Sequence, residues 1–365
     1  MSDLRSSWEK VKKYLEDLYG GGVELKGISR IGMPAGVEDF KGFGYGTPYL
    51  IEFEWNGKPH KLVFNTMKGD MFGHEHPWDR AHSLLMAYST FNRLPRHVKA
   101  LDVGVLMEDG SLDSLGGFRE YFLVTEYVEG VEYWRDLDRI GRTGRLTRLD
   151  MERCKALSRY LAEVHSEKLE APHLYRRRIR ELIGHGECIM GLVDSYPVDR
   201  GLPSQGDLQS IERRCLEWRW RLRDRHHRLS QVHGDYHPWN ILFRRGVDFT
   251  VLDRSRSEWG EPADDVAAMT INYMFFSLRY KDGVLSEPFT RLVEGFLETY
   301  IDETGDGEVL EVIQPFYAWR ALVLASPLWY PDLPEKVREK LIGFIFQVLE
   351  RPRIEVADIP SLFQE

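Results

Sequence analysis

The spacing of apolar positions changes twice along the chain. Residues 3–19 carry Trp8, Val11, Leu15 and Leu18 at helical intervals, which predicts an amphipathic helix with Asp3 at its N-cap and Gly20–Gly22 at its end. The chain then becomes β-prone and glycine-rich. Strands are expected over Val23–Ile31, Tyr49–Trp55 and Lys61–Met67, with Asn56-Gly57 supplying a type I′ hairpin turn between the last two. A helix over 78–92 and two further strands, Ala100–Met107 and Tyr121–Val128, follow. From residue 147 the period is helical. Leu157, Leu161 and Val164 share a face within 149–169, and helical spacing returns over 173–194, 207–229, 262–280, 286–303, 308–329 and 333–351. A single β-like stretch, Gln231 to Asp253, interrupts this helical series.

That interruption reads Q-V-H-G-D-Y-H-P-W-N-I-L-F-R-R-G-V-D-F-T-V-L-D and gathers the chemistry. His233, Asp235 and Asn240 stand at the spacing H-x-D-x-x-x-x-N, and Asp253 closes an apolar strand. Ile241–Phe243 and Phe249–Leu252 predict a hairpin around the turn-like residues Arg244, Arg245, Gly246 and Asp248. With Gly246 and Val247 at its tip, Asn240 falls opposite Asp253. Oxygen ligands from an Asn and an Asp suit Mg²⁺ that also holds phosphates. Asp235 is then left to accept or orient the proton of an attacking hydroxyl, the division of labour of kinase-type phosphoryl transfer. One Asp or Asn at a strand end more often just caps a turn; the whole set at these spacings favours the chemical reading.

Composition narrows the alternatives. At 365 residues the chain can bury two substantial cores, and 42% hydrophobic with 29% charged residues is ordinary for a globular protein. No run of apolar residues is long enough for a membrane span, and the first residues lack the apolar core of a signal peptide, so a cytoplasmic location is expected. A net charge of −9 argues against a nucleic-acid partner. Cys154, Cys188 and Cys215 are widely spaced and read as buried free thiols rather than a disulfide or zinc set.

The segments H-G-D-Y-H-P-W-N-I-L at 233–242, V-L-D at 251–253 and G-E-P-A-D-D-V-A at 260–267 resemble the aminoglycoside phosphotransferase/choline kinase family. The resemblance implies an α+β, two-lobed, protein-kinase-like fold, with a small β-rich N-lobe over 1–129 and a larger, mainly helical C-lobe over 130–365. It implies Asp235 as catalytic base, Asn240 and Asp253 as magnesium ligands, and Asp265 as a structural helix-capping residue. The expected reaction moves the γ-phosphoryl group of ATP, or GTP, to a hydroxyl of a small metabolite or aminoglycoside-like acceptor.

Other stretches fall into place less tightly. K-G-F-G-Y-G-T, with Gly42, Gly44 and Gly46, fits a loop whose backbone amides cover phosphates. E-Y-V-E-G at 126–130 resembles the family's interlobe hinge, in which backbone groups of Glu126 and Val128 would meet the adenine edge. Asn65 stands where a third-strand lysine is expected, and the nearest lysine, Lys68, reaches the phosphates only if the strand end turns it inward; no contact at all is the alternative. Glu75 or Asp79 would pair with that lysine, and Arg254 or Arg256 would compensate for its absence. His74 and His76 lack a third ligand, His165 reads as a packed histidine, and Arg176–Arg178 as a solvated face. Asn65 and the D-R-S after the metal aspartate also motivate a second reading, a catalytically degenerate nucleotide-binding regulator. A protein kinase is disfavoured because D-F-G and A-P-E are absent around 253–262.

Overall fold

The computed structural model describes residues 7–31, 46–93, 95–197, 201, 203–254 and 256–363. Contacts divide the chain into two units, Met1–Thr125 and Glu126–Glu365.

The first unit begins with α1, Trp8–Tyr19, which ends where Gly20 adopts φ +81° and its N–H donates back to the Glu16 carbonyl. The Asp3 N-cap falls outside the described residues. Strands β1 (Val23–Arg30), β2 (Gly46–Trp55) and β3 (Lys58–Met67) form an antiparallel sheet in that order. Trp55 pairs with Lys58 across the two-residue turn, and Asn56 and Gly57 take φ +49° and +74°, as a type I′ turn requires. Val11 and Leu15 of α1 pack with Val23, Leu25, Ile51 and Phe53 in a small core of their own. Then come α2 (Pro77–Phe91) and the hairpin of β4 (Gly104–Leu106) with β5 (Leu112–Ser114).

Two expected strands differ from what forms. Only Gly104–Leu106 of the 100–107 stretch is extended and paired, and Tyr121–Val128 forms no strand. Strand propensity reflects packing against neighbours rather than an intrinsic backbone preference. Among the described residues no strand pairs with 121–128, and Phe122, Leu123, Val124 and Tyr127 stand exposed.

The second unit opens with β6 (Val131–Glu132), α3 (Trp134–Thr143) and α4 (Arg148–Ser166). Thr147 caps α4 in a reciprocal box with Asp150. Next are α5 (Pro172–Gly184), α6 (Ile189–Ser195) and α7 (Gln205–Leu222), then the short β7 (Ser230–Gln231), β8 (Ile241–Phe243), β9 (Phe249–Val251) and β10 (Trp259–Gly260). Helices α8 (Ala263–Tyr280), α9 (Glu287–Thr304), α10 (Val309–Val312), α11 (Gln314–Ala325) and α12 (Glu335–Glu350) follow.

Helix α8 is apolar on nearly every face and accordingly buried from Ala263 to Leu278 apart from Asp264. Helix α11 is buried in the same way and packs against α8 and α12. All three cysteines are free and buried. Gly141 lets α3 approach α8 closely: a Cβ there would collide with the Tyr280 ring. Among the described residues no helix is long and apolar enough to cross a membrane.

Candidate active site

The stretch between β7 and β8 is held from beneath by Asp265, in the first turn of α8. Its Oδ2 accepts from the His233 N–H at 2.7 Å and its Oδ1 from the Gly234 N–H at 2.8 Å. His165 Nε2 lies 3.2 Å from the same carboxylate and His165 Nδ1 2.8 Å from the Tyr300 hydroxyl. Burial pushes the Asp265 carboxyl up, but the hydrogen bonds and charges of His165 and His233 outweigh it and hold the group below its ordinary value. Asp265 is fully buried and accepts from two consecutive backbone N–H groups, while His165 packs against it. Gly234, at φ +84°, makes the bend that a side chain would strain.

Beyond that bend Asp235 faces three cationic or ring partners. Arg320 Nη1 donates to its Oδ1 at 2.6 Å, Arg256 Nη1 lies 3.2 Å from the same oxygen, and His237 Nε2 is 3.4 Å from Oδ2. Burial raises the carboxyl's pKa, but the His237 hydrogen bond and the charges of Arg320, His237 and Arg256 win, so it sits well below the usual carboxylate range. Arg320 is itself tied down by Asp264, whose Oδ1 accepts from its Nη2 at 2.6 Å. Burial pushes the Asp264 carboxyl up to about 6 despite that guanidinium. Both guanidiniums lie over the Trp319 ring, Arg320 at 4.0 Å and Arg256 at 4.6 Å from its centroid.

The hairpin register differs by one from the expected pairing. Ile241 pairs with Val251 and Phe243 with Phe249, so Asn240 stands opposite Leu252, not Asp253. The cause is the loop, which spans Arg244–Asp248 with Gly246 at its centre (φ +66°) and closes through the Arg244 N–H to the Asp248 carbonyl at 2.8 Å. Asp253 therefore follows the last rung, exposed, at φ +56°. The Asn240 Nδ2 donates to the Asp235 carbonyl at 3.1 Å, which leaves Asn240 Oδ1 as the atom available to a cation. Among the described residues no group of three or more His, Cys, Asp or Glu forms a metal cluster. An amide oxygen and one carboxylate, both at the open end of the β8–β9 hairpin, nonetheless fit Mg²⁺, which keeps several waters and shares its shell with phosphates.

Asp235 opens into a pocket of about 590 Å³. Its walls come from α6, α8, α11 and the segment after α11, and include Trp239, Ile271, Asn272, Leu324 and Trp329. All of it lies within the second unit.

The remaining expected residues are dispersed. Gly42 and Gly44 lie outside the described residues, and Gly46 begins β2. Lys68 follows the last residue of β3 and is exposed, as is Asn65. Asp79 Oδ2 accepts from the His76 N–H at 2.9 Å, capping α2. Glu126 and Val128 belong to the irregular stretch before β6, Glu126 exposed and Val128 half-buried. Arg254 donates to the Val232 and Glu258 carbonyls, each at 3.0 Å, and so clips its own loop. Arg256 turns to Asp235, and Arg178 donates to the Arg256 carbonyl at 2.9 Å, a use that a solvated face did not suggest. Sequence reasoning missed Arg320, Asp264 and Asn272. Arg320 did leave a signal, a lone charge inside the apolar run F-Y-A-W-R-A-L-V-L.

The model of the phosphotransferase enzyme family matches residues 82–308, more than half of the chain. That family's fold is protein-kinase-like, a mixed architecture with a strand-rich N-terminal part and a helical C-terminal part. A glucosamine kinase in complex with glucosamine, ADP and inorganic phosphate is 16% identical, with 91% of this chain and 94% of that chain covered at a TM-score of 0.42. A choline kinase from Streptococcus pneumoniae is 14% identical over 94% of this chain and 99% of that one, with a TM-score of 0.36. A crystal form of glucosamine kinase, 19% identical, matches over 58% of this chain and 62% of that chain at a TM-score of 0.38. None of the curated proteins compared matches the chain.

Proposed function

Because this chain belongs to the phosphotransferase enzyme family and so transfers a phosphoryl group to a hydroxyl, we propose that it moves the γ-phosphoryl group of ATP, or GTP, to a small molecule held beside Asp235. The observation that carries this reading is the Asp235 carboxylate, held by Arg320 and Arg256 and lining a pocket of about 590 Å³. Asn240 and Asp253 would hold Mg²⁺, which would supply neutralisation of phosphate charge there.

A carboxylate whose pKa is held far down is a weak base. Asp235 thus serves mainly to orient the acceptor hydroxyl and takes its proton late, as suits a transition state with little bonding to the nucleophile. Arg320 and Arg256 fix that carboxylate in place, so positioning and electrostatics account for most of the catalysis. The protein acts as a soluble cytoplasmic enzyme on a small molecule, without nucleic acid.

A second reading, a nucleotide-binding regulator that no longer transfers phosphate, draws on Asn65 and on Lys68 lying past the end of β3. Isothermal titration of MgATP and MgGTP, followed by nucleotide consumption against a panel of hydroxylated metabolites, separates the two. Binding with acceptor-stimulated consumption supports the enzyme; tight binding with no consumption on any acceptor supports the regulator.

A further inference from the structure

Asn272, on α8, lines the same pocket and is 6% exposed as a residue. Its Nδ2 donates to the Ala268 carbonyl at 2.7 Å, which fixes the orientation of the amide. The opposite atom, Oδ1, is buried without a hydrogen-bond partner. A buried carbonyl left unpaired is destabilising, and a donor on the pocket's occupant would satisfy it.

Charge points to the nature of that occupant. The carboxylates lining the pocket are Asp235 and Glu187. Arg320 and Arg256 lie 2.6 and 3.2 Å from Asp235, and Arg256 lies 3.8 Å from Glu187. Each carboxylate already faces a guanidinium, which leaves no unbalanced negative charge in the lining for an ammonium group. The rest of the wall is largely apolar, with Ile271 and Trp329 among it.

We infer that the pocket selects an uncharged acceptor with an apolar face, and that Asn272 recognises it by accepting a hydrogen bond from an O–H or N–H of that molecule. This deepens the phosphotransferase reading and rests on it for the word acceptor. An ammonium group in the pocket would sit near two guanidiniums without a free carboxylate, whereas a neutral ring buries its apolar face and pairs Oδ1 with a hydroxyl.

Two isosteric ligands differing only in charge test this: 4-tert-butylphenyl β-D-glucoside and 4-(trimethylammonio)phenyl β-D-glucoside. Their binding to the full chain is measured by isothermal titration, and their phosphorylation separately with MgATP. The neutral glucoside is expected to bind at least about ten-fold more tightly than the cationic one. Asn272→Leu is expected to weaken the neutral ligand by about ten-fold, the equivalent of one lost hydrogen bond. Asn272→Asp, which keeps the shape and adds a charge, is expected to erase or reverse the preference and decides the matter if the leucine variant does not fold by circular dichroism. Equal or tighter binding of the cationic ligand, binding of neither, or affinities unchanged in both variants overturns the inference. The expected binding pattern without phosphorylation leaves the inference standing and removes the phosphotransferase reading. Phosphorylation of the cationic glucoside alone does the reverse.

Discussion

Arg320 Nη1 donates to the Asp235 carboxylate at 2.6 Å from a side chain that is 8% exposed. Together with the His237 hydrogen bond and the charge of Arg256, this contact holds the Asp235 carboxyl well below the usual carboxylate range. The acid limb of activity should therefore belong to another group in the native protein. Arg256→Gln removes one of the charges that lower the Asp235 pKa, so that pKa rises and the carboxylate is lost at a higher pH. Carboxyl-carbon NMR titration of the full chain should place the Asp235 transition at a higher pH in the variant than in the parent; an unchanged transition would mean Arg256 does not act on Asp235.

Asp265 ties the Gly234 bend to α8. Its folded pKa is depressed, so it contributes stability that is present above the ordinary carboxylate value and lost as pH falls through the folded value. Asp265→Ala leaves two buried N–H groups and His165 without their acceptor, at a cost of roughly 3 kcal/mol. Thermal melts should show a lowered Tm at neutral pH and a smaller gap from the parent protein in acid. A gap independent of pH would contradict the assignment.

Asp264 behaves oppositely. Its pKa is pushed up to about 6 by burial, so the stability tied to its protonation is fully present below the ordinary carboxylate value and is lost as pH rises through about 6. Asp264→Asn cannot ionise and should flatten the dependence of Tm on pH between the ordinary carboxylate value and that point. Parallel Tm curves for parent and variant would count against it.

Arg228 is 3% exposed and binds Glu261 at 2.8 Å and Asp306 at 2.6 Å. Arg228→Ala strands the buried Glu261 carboxylate and frees the half-buried Asp306, and should cost about 3–5 kcal/mol by urea unfolding. A loss below about 1 kcal/mol would show that water reaches and solvates the pair.

Asn240 and Asp253 supply the proposed metal site. Asp253→Ala should weaken Mn²⁺ binding in the presence of ATP by ten-fold or more, read by electron paramagnetic resonance rather than by turnover. Unchanged Mn²⁺ affinity would place the metal elsewhere.

The candidate segment was the most legible part of the chain because its residues are close in sequence and its geometry is local. His233, Asp235, Asn240 and Asp253 fall within one loop and hairpin, so spacing alone brought them together; the one-residue register error arose because an odd-length loop, not a two-residue tip, joins β8 to β9. What escaped comes from distant helices. Arg320 reaches Asp235 from α11 and Asn272 lines the pocket from α8; the lone charge in α11 marks Arg320 as unusual, but neither helix's pattern says which cavity or partner its polar residue meets. The 121–128 stretch fails for a related reason: alternating apolar residues predict a strand only where another strand offers its edge.

The most direct test follows the γ-phosphoryl label of ATP into an acceptor, with Mg²⁺ present, for the parent protein and for Asp235→Asn. The substitution keeps the side chain's size and removes the charge that Arg320 and Arg256 hold in place. The account predicts transfer by the parent and a loss of about 10²-fold or more in the variant, with the melt retained and ATP still bound. Transfer at the parent's rate by Asp235→Asn would contradict it.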